Sequence, residues 1–419
     1  MVRKTVLDNG CRVITETLPH MVSVSLGIWV ANGSRDEGQE NSGISHFIEH
    51  MIFKGTRRRS AQQIALELDA IGGLSNAFTS KEQTCFHTKV LKDHLPRAAD
   101  LLLDIFTASV FDPVELDRER QVVLQEISMV EDTPDEYTHV LYGETVYERN
   151  SLGQPILGSP ETVQSFSQET LLQYLQEAYG AEKVVVTAAG KVDHDALLAL
   201  LRPELEKLPS SRAPSHRQKP ELRARLRVVP KDLEQVHLAL GTWAPAAPDE
   251  TRYAATLLNA LVGGNMSSRL FQEVREKRGL AYTIYSYLSA FEDTGLWGIY
   301  TAVARETLAE TLEVIGQELV KIKRGDLDRG ELEAAREFVR GGVLLGEENN
   351  ENRMTRLAQN EIHFGRHLTS EEILAGLQRT TLDEVTALAD QCLQPGTFSL
   401  VAFGPIQESE LPSPWMRWS

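Results

Sequence analysis

Residues 44–53 read Ile-Ser-His-Phe-Ile-Glu-His-Met-Ile-Phe. Ile44, Phe47, Ile48, Met51 and Ile52 recur at helical spacing, which predicts an amphipathic helix with one face in a core. Ser42 stands where an N-cap residue is wanted. At 3.6 residues per turn, His46 and His50 lie about 40° apart around that helix, and Glu49 lies about 60° to the other side of His46. Three titratable side chains thus share one arc of a helix whose other face is apolar. Two imidazoles one turn apart can reach a single metal ion, and nitrogen and oxygen donors suit zinc. Glu49 is too close in sequence to be a comfortable third ligand. It is placed instead to take a proton from an attacking water.

A catalytic zinc site needs a third protein ligand and one open position. Residues 114–130 predict a second, charged helix on which Glu119 and Glu126 stand seven apart and face nearly the same way. Val122 and Val123 between them are the expected anchors of that helix. Spacing alone leaves Glu119, Glu126 and Glu131 open as the third ligand.

Outward from this site, the order of elements occurs twice. A strand pattern at 22–30 and another at 236–243 share Leu-Gly-x-Trp, and an Asp-Glu pair follows each, at Asp36-Glu37 and Asp249-Glu250. Each half then predicts an amphipathic helix, a strand block (75–90; 281–304), a long helix (93–108; 306–324) and a charged helix (114–130; 331–346). Between the halves, the stretch around 202–226 is rich in Pro, Ser and Arg and lacks apolar periodicity, as a linker does. The expected organisation is a first half at 1–210, a linker at 211–226 and a second half at 227–419. The expected fold class is α+β: two homologous halves, each a mainly antiparallel sheet with helices packed on one face.

The 419 residues are 42% apolar and 25% charged, an ordinary globular composition that excludes disordered and collagen-like classes. No run of 18 apolar residues provides a membrane span. With 43 basic against 60 acidic residues and a formal charge of −17, the chain is poorly suited to tracking nucleic-acid phosphates. It is better suited to a basic substrate in an acidic cleft, or simply to solubility. Cys11, Cys85 and Cys392 are too few and too scattered for a disulfide framework or a structural zinc cluster. The first residues lack the apolar region of a signal peptide, so the expected location is cytoplasmic.

The H-x-x-E-H motif at 46–50, followed by Phe53-Lys54-Gly55-Thr56 and a glutamate 76 residues beyond His50, resembles the pitrilysin/insulinase (inverzincin) metallopeptidases. The nearest branch is that of the mitochondrial processing peptidase β-subunit and its bacterial relatives. The resemblance implies a zinc endopeptidase in which His46, His50 and Glu126 hold zinc, Glu49 is the general base and Glu119 orients a ligand histidine. It implies that Asn76-Ala77-Phe78-Thr79 is the edge strand against which substrate backbone pairs. By the same resemblance Phe53 lines the pocket for the residue after the cut bond. In the second half, Arg275 and Tyr282 match a motif that reaches the substrate and the tetrahedral intermediate. That half lacks H-x-x-E-H and is the catalytically empty repeat.

Relatives that read an arginine upstream of the cut place two carboxylates beyond the distal glutamate. Here Glu136 fits the first position and Val140 occupies the second. Single-chain relatives enclose peptides or unfolded segments between four such repeats. Two repeats therefore imply a second chain, most simply a homodimer, or else a heterodimer with an inactive relative. The competing readings are a non-catalytic assembly subunit of the same fold and a peptide-binding module. His363 and His367, also four apart, have no glutamate at the base position and are broken by Gly365, so they read as a non-site. Gly263-Gly264 is not followed by Lys-Ser/Thr and reads as no phosphate loop.

Overall fold

The computed structural model describes residues 1–210, 217–412 and 414. Its first sheet contains β1 (Val2–Val6), β2 (Arg12–Thr17), β3 (Ser23–Val30), β4 (Leu74–Thr79), β5 (Thr84–Leu91) and β6 (Val184–Gly190), in the order β1-β2-β6-β3-β5-β4. Its second contains β7 (Leu226–Pro230), β8 (Val236–Ala244), β9 (Ala281–Ala290), β10 (Gly295–Val303) and β11 (Ser399–Gly404), in the order β7-β11-β8-β10-β9. With β1 set aside, the sheets correspond strand for strand. Each has one parallel pair, β2 with β6 and β7 with β11, and is otherwise antiparallel. The two halves are homologous, as the repeated order of elements implies.

The first half of the chain contributes helices α1 (Ile44–Met51), α2 (Ala61–Ala70), α3 (Leu95–Ala108), α4 (Pro113–Glu131), α5 (Pro134–Val146), α6 (Pro160–Ser165), α7 (Gln168–Ala178) and α8 (His194–Leu205). The second contributes α9 (Arg252–Val262), α10 (Leu308–Lys323), α11 (Arg329–Gly346), α12 (Asn350–Phe364), α13 (Ser370–Arg379) and α14 (Leu382–Cys392). Of the expected linker, 211–216 lie outside the described residues, and 217–225 carry no helix or strand.

Both faces of each sheet are covered. In the first, Leu26, Ile28 and Val30 of β3 enter a core with Phe47 and Ile48 of α1, Leu102 and Ile105 of α3, and Leu197 and Leu201 of α8. In the second, Leu238 and Leu240 of β8 meet Leu257 and Leu258 of α9, Leu312 and Ile315 of α10, and Leu388 of α14. The expected helical layer on one face is this one. The opposite face of each sheet takes a single helix, and that helix comes from the other half of the chain. The two compact units accordingly interleave: Met1–Met129, Gln154–Gln218 and Leu345–His367 form one, and Val130–Gly153, Lys219–Leu344 and Leu368–Ser419 the other.

The exchanged helices are counterparts, each following a charged helix, α5 after α4 and α12 after α11. Within the first unit, α12 buries Met354, Leu357 and Ala358 against Ile14, Trp29, Cys85 and Val185. Full burial of a Met or Leu stabilises by about 1.5–3 kcal/mol. Lys4 Nζ adds contacts at 2.6 and 2.7 Å to the buried carboxylate of Glu361. Within the second unit, α5 buries Leu141, Tyr142 and Val146 against Ala239, Leu296, Val401 and Phe403.

The repeated Leu-Gly-x-Trp marks where these helices press on an interior strand. A Cβ on Gly27 would lie 2.9 Å from Met354 Sδ and 2.8 Å from Trp29 Nε1. A Cβ on Gly241 would lie 2.7 Å from Tyr142 Oη and 2.1 Å from the Trp297 carbonyl oxygen. Only glycine permits the approach in either sheet. Gly27→Ala is therefore expected to destabilise by about 1–3 kcal/mol through overpacking. Combined with Met354→Ala, it should cost clearly less than the sum of the two, as read from urea unfolding. Strict additivity would show that Met354 is not what the methyl meets.

Candidate metal centre

α1 forms on its apolar stripe, with Ile44, Phe47, Ile48 and Met51 fully buried. Its N-cap is Gly43 and not Ser42, because the chain enters the helix at φ 91°, a left-handed turn that suits glycine. A side chain from further back takes over the capping. The buried carboxylate of Glu37 accepts from Gly43 N at 2.7 Å and Ser45 N at 2.9 Å. An acidic group at a helix N-terminus satisfies donors that lack partners within the helix. Burial raises the Glu37 carboxyl to about 8, against the opposing effect of these hydrogen bonds.

α4 starts at Pro113, and Asp112 Oδ1 accepts from Val114 N at 2.8 Å. Its buried residues are Leu116, Glu119, Val123 and Ile127, so a carboxylate interrupts an otherwise apolar stripe. Of the two expected anchors only Val123 is inside, since Val122 is an exposed side chain.

The two helices bring His46, His50 and Glu126 together, with one donor atom from each lying within 4.8 Å of the others. Glu126 Oε2 is 3.6 Å from His46 Nε2 and 3.4 Å from His50 Nε2. Donors about 2.1 Å from a tetrahedral ion stand about 3.4 Å apart, so this donor set fits such an ion. Among the described residues it is the one cluster of three His, Cys, Asp or Glu groups with this property.

The partners of the two imidazoles differ. His50 Nδ1 donates to Glu119 Oε1 at 3.0 Å, which turns Nε2 toward Glu126. Burial alone would lower His50, but the hydrogen bonds with Glu119 and Glu126 outweigh it and raise the ring to about 9. His46 Nδ1 is buried with no hydrogen-bond partner among the described residues. Burial and the neighbouring His50 charge lower the His46 ring, which stays neutral. Glu126 is held below the usual carboxylate range, first by the His50 hydrogen bond. Glu119 is opposed by burial yet lowered by His50 and Lys54.

Glu49 leaves the same helix arc toward β4, where Thr79 Oγ1 donates to its Oε2 at 2.6 Å. Burial raises the Glu49 carboxyl, partly offset by that hydroxyl. β4 is the outer strand of its sheet, pairing with β5 on one side. Along it, Ala77 packs on the core that α1 shares. Asn76 and Phe78 point to the other face. There Phe78 stands edge-on to Trp29 with ring centroids 5.6 Å apart, while Asn76 Oδ1 accepts from Ala77 N. Phe53 is half-buried against the same core as α1. Glu131 is exposed at the end of α4.

Arg275, Tyr282 and Glu136 belong to the second unit. Tyr282 is 78% exposed at the start of β9. Arg275 stacks over its ring at 4.8 Å and over Phe271 at 4.7 Å. Glu136 is exposed on α5. His363 lies in the last turn of α12, which ends at Phe364 before Gly365 with its φ of 66°, so His367 lies outside that helix. All three cysteines are buried and unpaired. No helix among the described residues is long and apolar enough to cross a membrane.

Three contacts escaped the sequence reading: Glu37 on the helix cap, Thr79 on Glu49, and Lys54, whose Nζ lies 2.7 Å from Glu119 Oε2. The spacing of Lys54, four beyond His50, is a usable signal. Thr79 gives none, because the strand contact follows from tertiary pairing.

Comparison with known proteins gives a consistent result. The family description "Insulinase (Peptidase family M16)" matches residues 12–160, and "Peptidase M16 inactive domain" matches residues 165–339. An uncharacterized zinc protease, YmxG of Bacillus subtilis, is 40% identical over 93% of this chain and 95% of its own length. An uncharacterized zinc protease of Streptomyces coelicolor is 38% identical over 98% of this chain and 91% of its own. In three dimensions, a protease from Helicobacter pylori matches with a TM-score of 0.90 at 21% identity, covering 96% of this chain and 99% of the other. At that identity the likeness speaks for the fold. With its motif, its duplicated sheets and these relatives, the chain belongs to the insulinase family of peptidases, family M16.

Proposed function

We propose that this chain is a zinc-dependent endopeptidase acting on peptides and unfolded polypeptide segments. The observation that carries the reading is the convergence of two imidazoles and one carboxylate from α1 and α4, with a second carboxylate, Glu49, beside them. His46, His50 and Glu126 would hold the ion, which when bound polarises the scissile carbonyl and makes water nucleophilic near neutral pH. Glu49, raised by burial and held by Thr79, is suited to take the proton of the attacking water and deliver it to the leaving amine.

The outer edge of β4 offers backbone donors and acceptors to an extended chain, a grip that is largely independent of substrate side chains. Phe53 would meet the residue after the cut bond. The hydroxyl of Tyr282 and the stacked guanidinium of Arg275 are donors suited to the oxyanion of the tetrahedral intermediate. Glu136 would contribute to reading a basic residue upstream of the cut. An enclosing chamber would require a second chain. A symmetric pair is the simplest, because each copy carries both the H-x-x-E-H helix and the Arg–Tyr motif.

Zinc-loaded protein incubated with a mixed peptide library should yield internal cuts. Glu49→Gln should keep its metal and lose cleavage by at least about 100-fold. Glu126→Gln should lose metal, whereas Glu131→Gln should not. Undiminished cleavage by Glu49→Gln would remove that residue as the base.

Metal loading should also be linked to protons. Because folding raises His50 from 6.5 to about 9, metal-free protein carries that proton throughout neutral pH. Its contribution to stability is full below 6.5 and is lost as pH rises through about 9. Zinc binding between pH 7 and 8 should therefore release about one proton from His50, with the release fading above pH 9. Calorimetry in buffers of different ionisation enthalpy measures this. A release that stays constant up to pH 10 would refute it.

A further inference from the structure

We infer that Lys54 is a positioning residue of the metal centre: its ammonium holds the Glu119 carboxylate turned toward His50, and so presents His50 Nε2 to the ion. The inference rests on reading His46, His50 and Glu126 as a metal site. It adds a residue that none of the relatives' descriptions assigns.

Four observations carry it. Lys54 follows α1 by one turn, its N–H donating to the Met51 carbonyl at 3.0 Å, so it projects four residues beyond His50 on the same side. Its Nζ is 2.7 Å from Glu119 Oε2 while His50 Nδ1 is 3.0 Å from Glu119 Oε1, so one carboxylate bridges the cation and the imidazole. The Glu119 side chain is 7% exposed, a burial that an ionised carboxylate tolerates only with partners. The arginines of its own helix are engaged elsewhere: Arg118 pairs with Glu115, and Arg120 with Asp117 and the Phe166 carbonyl.

The chemistry follows from charge. Glu119 and Glu126 repel one another, as do Glu49 and Glu126, and Lys54 sets a positive charge against this cluster at Glu119 Oε2. Without Lys54, Glu119 would lose the contact at Oε2 that fixes how its carboxylate is turned. It would then accept less strongly from His50 Nδ1–H, and the ring would no longer be held in the tautomer that offers Nε2 as a lone pair. Since the ammonium lies on the far side of Glu119 from the imidazole, its effect should reach the ion only through that carboxylate.

The test is zinc transfer from loaded full-length protein to an excess of chromophoric chelator. Lys54→Met should lose zinc about tenfold faster than the unaltered protein, within the range known for outer-sphere partners of ligand histidines. Lys54→Gln should behave alike, and Lys54→Arg should restore most of the retention. In a Glu119→Gln background, Lys54→Met should change nothing further. Melting of the metal-free variants controls for folding. Unchanged retention in both neutral variants would overturn the inference, as would a full tenfold loss on top of Glu119→Gln. Unaltered protein that retains no zinc would instead overturn the metal reading itself, and peptide cleavage need not be measured to tell these outcomes apart.

Discussion

The site depends on a carboxylate placed where a helix ought to be apolar. Glu119 sits between Leu116 and Val123 on the buried stripe of α4. Removing an ionised carboxylate from water is costly unless partners compensate. Here His50 and Lys54, one on each oxygen, do so, and both come from α1 and the turn after it. The pairing works only in one relative register of the two helices. Two turns further along α4, that register brings Glu126 opposite the Nε2 atoms of both histidines. The same ion pair that holds Glu119 thus fixes where Glu126 stands.

A comparable dependence runs through the sheets. Gly27 and Gly241 occupy matching positions, and each is the point at which a helix from the other half touches a strand. An L side chain at either glycine would meet atoms within 3 Å. Because α12 completes the first unit and α5 the second, each half lacks part of its own covering without the other. α5 begins three residues after α4 ends, so the helix bearing Glu119 and Glu126 leads directly into an element that the second sheet holds. The duplication therefore produced two sheets, each of which takes a covering helix from the other half of the chain.

Most of this was legible from periodicity. The strands at 22–30 and 236–243, the strand blocks and the long and charged helices fall within two residues of the observed elements, because each alternates or repeats apolar residues clearly. The local spacing at 46–50 was enough to expect two histidines and a glutamate on one helix arc, which is where they lie. What stayed hidden was set by tertiary contact. Nothing in the sequence of α4 distinguishes Glu119 inside from Glu131 outside, since helical periodicity puts both near the edge of one stripe. Val122 and Val123 look equivalent in sequence, and only packing buries the second. The exchange of α5 and α12 leaves no local mark except the two glycines, whose meaning depends on knowing what presses against them. Gly43 took the capping position from Ser42 because the chain turns left-handed there, a backbone requirement that a preference for capping side chains does not reveal.

The second repeat shows what the same framework does without a site. Its helix after the Asp-Glu pair, α9, buries Ala254, Ala255, Leu257, Leu258, Ala260, Leu261 and Val262. The polar arc that α1 reserves for His46, Glu49 and His50 is filled there by core packing. Half-buried polar residues of α9 are satisfied: Asn259 by Trp297 Nε1 at 3.1 Å and by Ser286 Oγ at its carbonyl, and Thr256 by the Arg252 carbonyl. Burying titratable groups on a helix arc is costly, as the His46 ring lowered and the Glu49 carboxyl raised by burial indicate. A helix packed like α9 carries no such strain and can serve purely as core. After a duplication, a copy without that polar arc can be repacked for stability, while an arc that is kept is one whose cost a bound ion would offset. The asymmetry between the repeats therefore lies in what each helix buries: apolar side chains in α9, and in α1 a polar arc of buried His46 with half-buried Glu49 and His50.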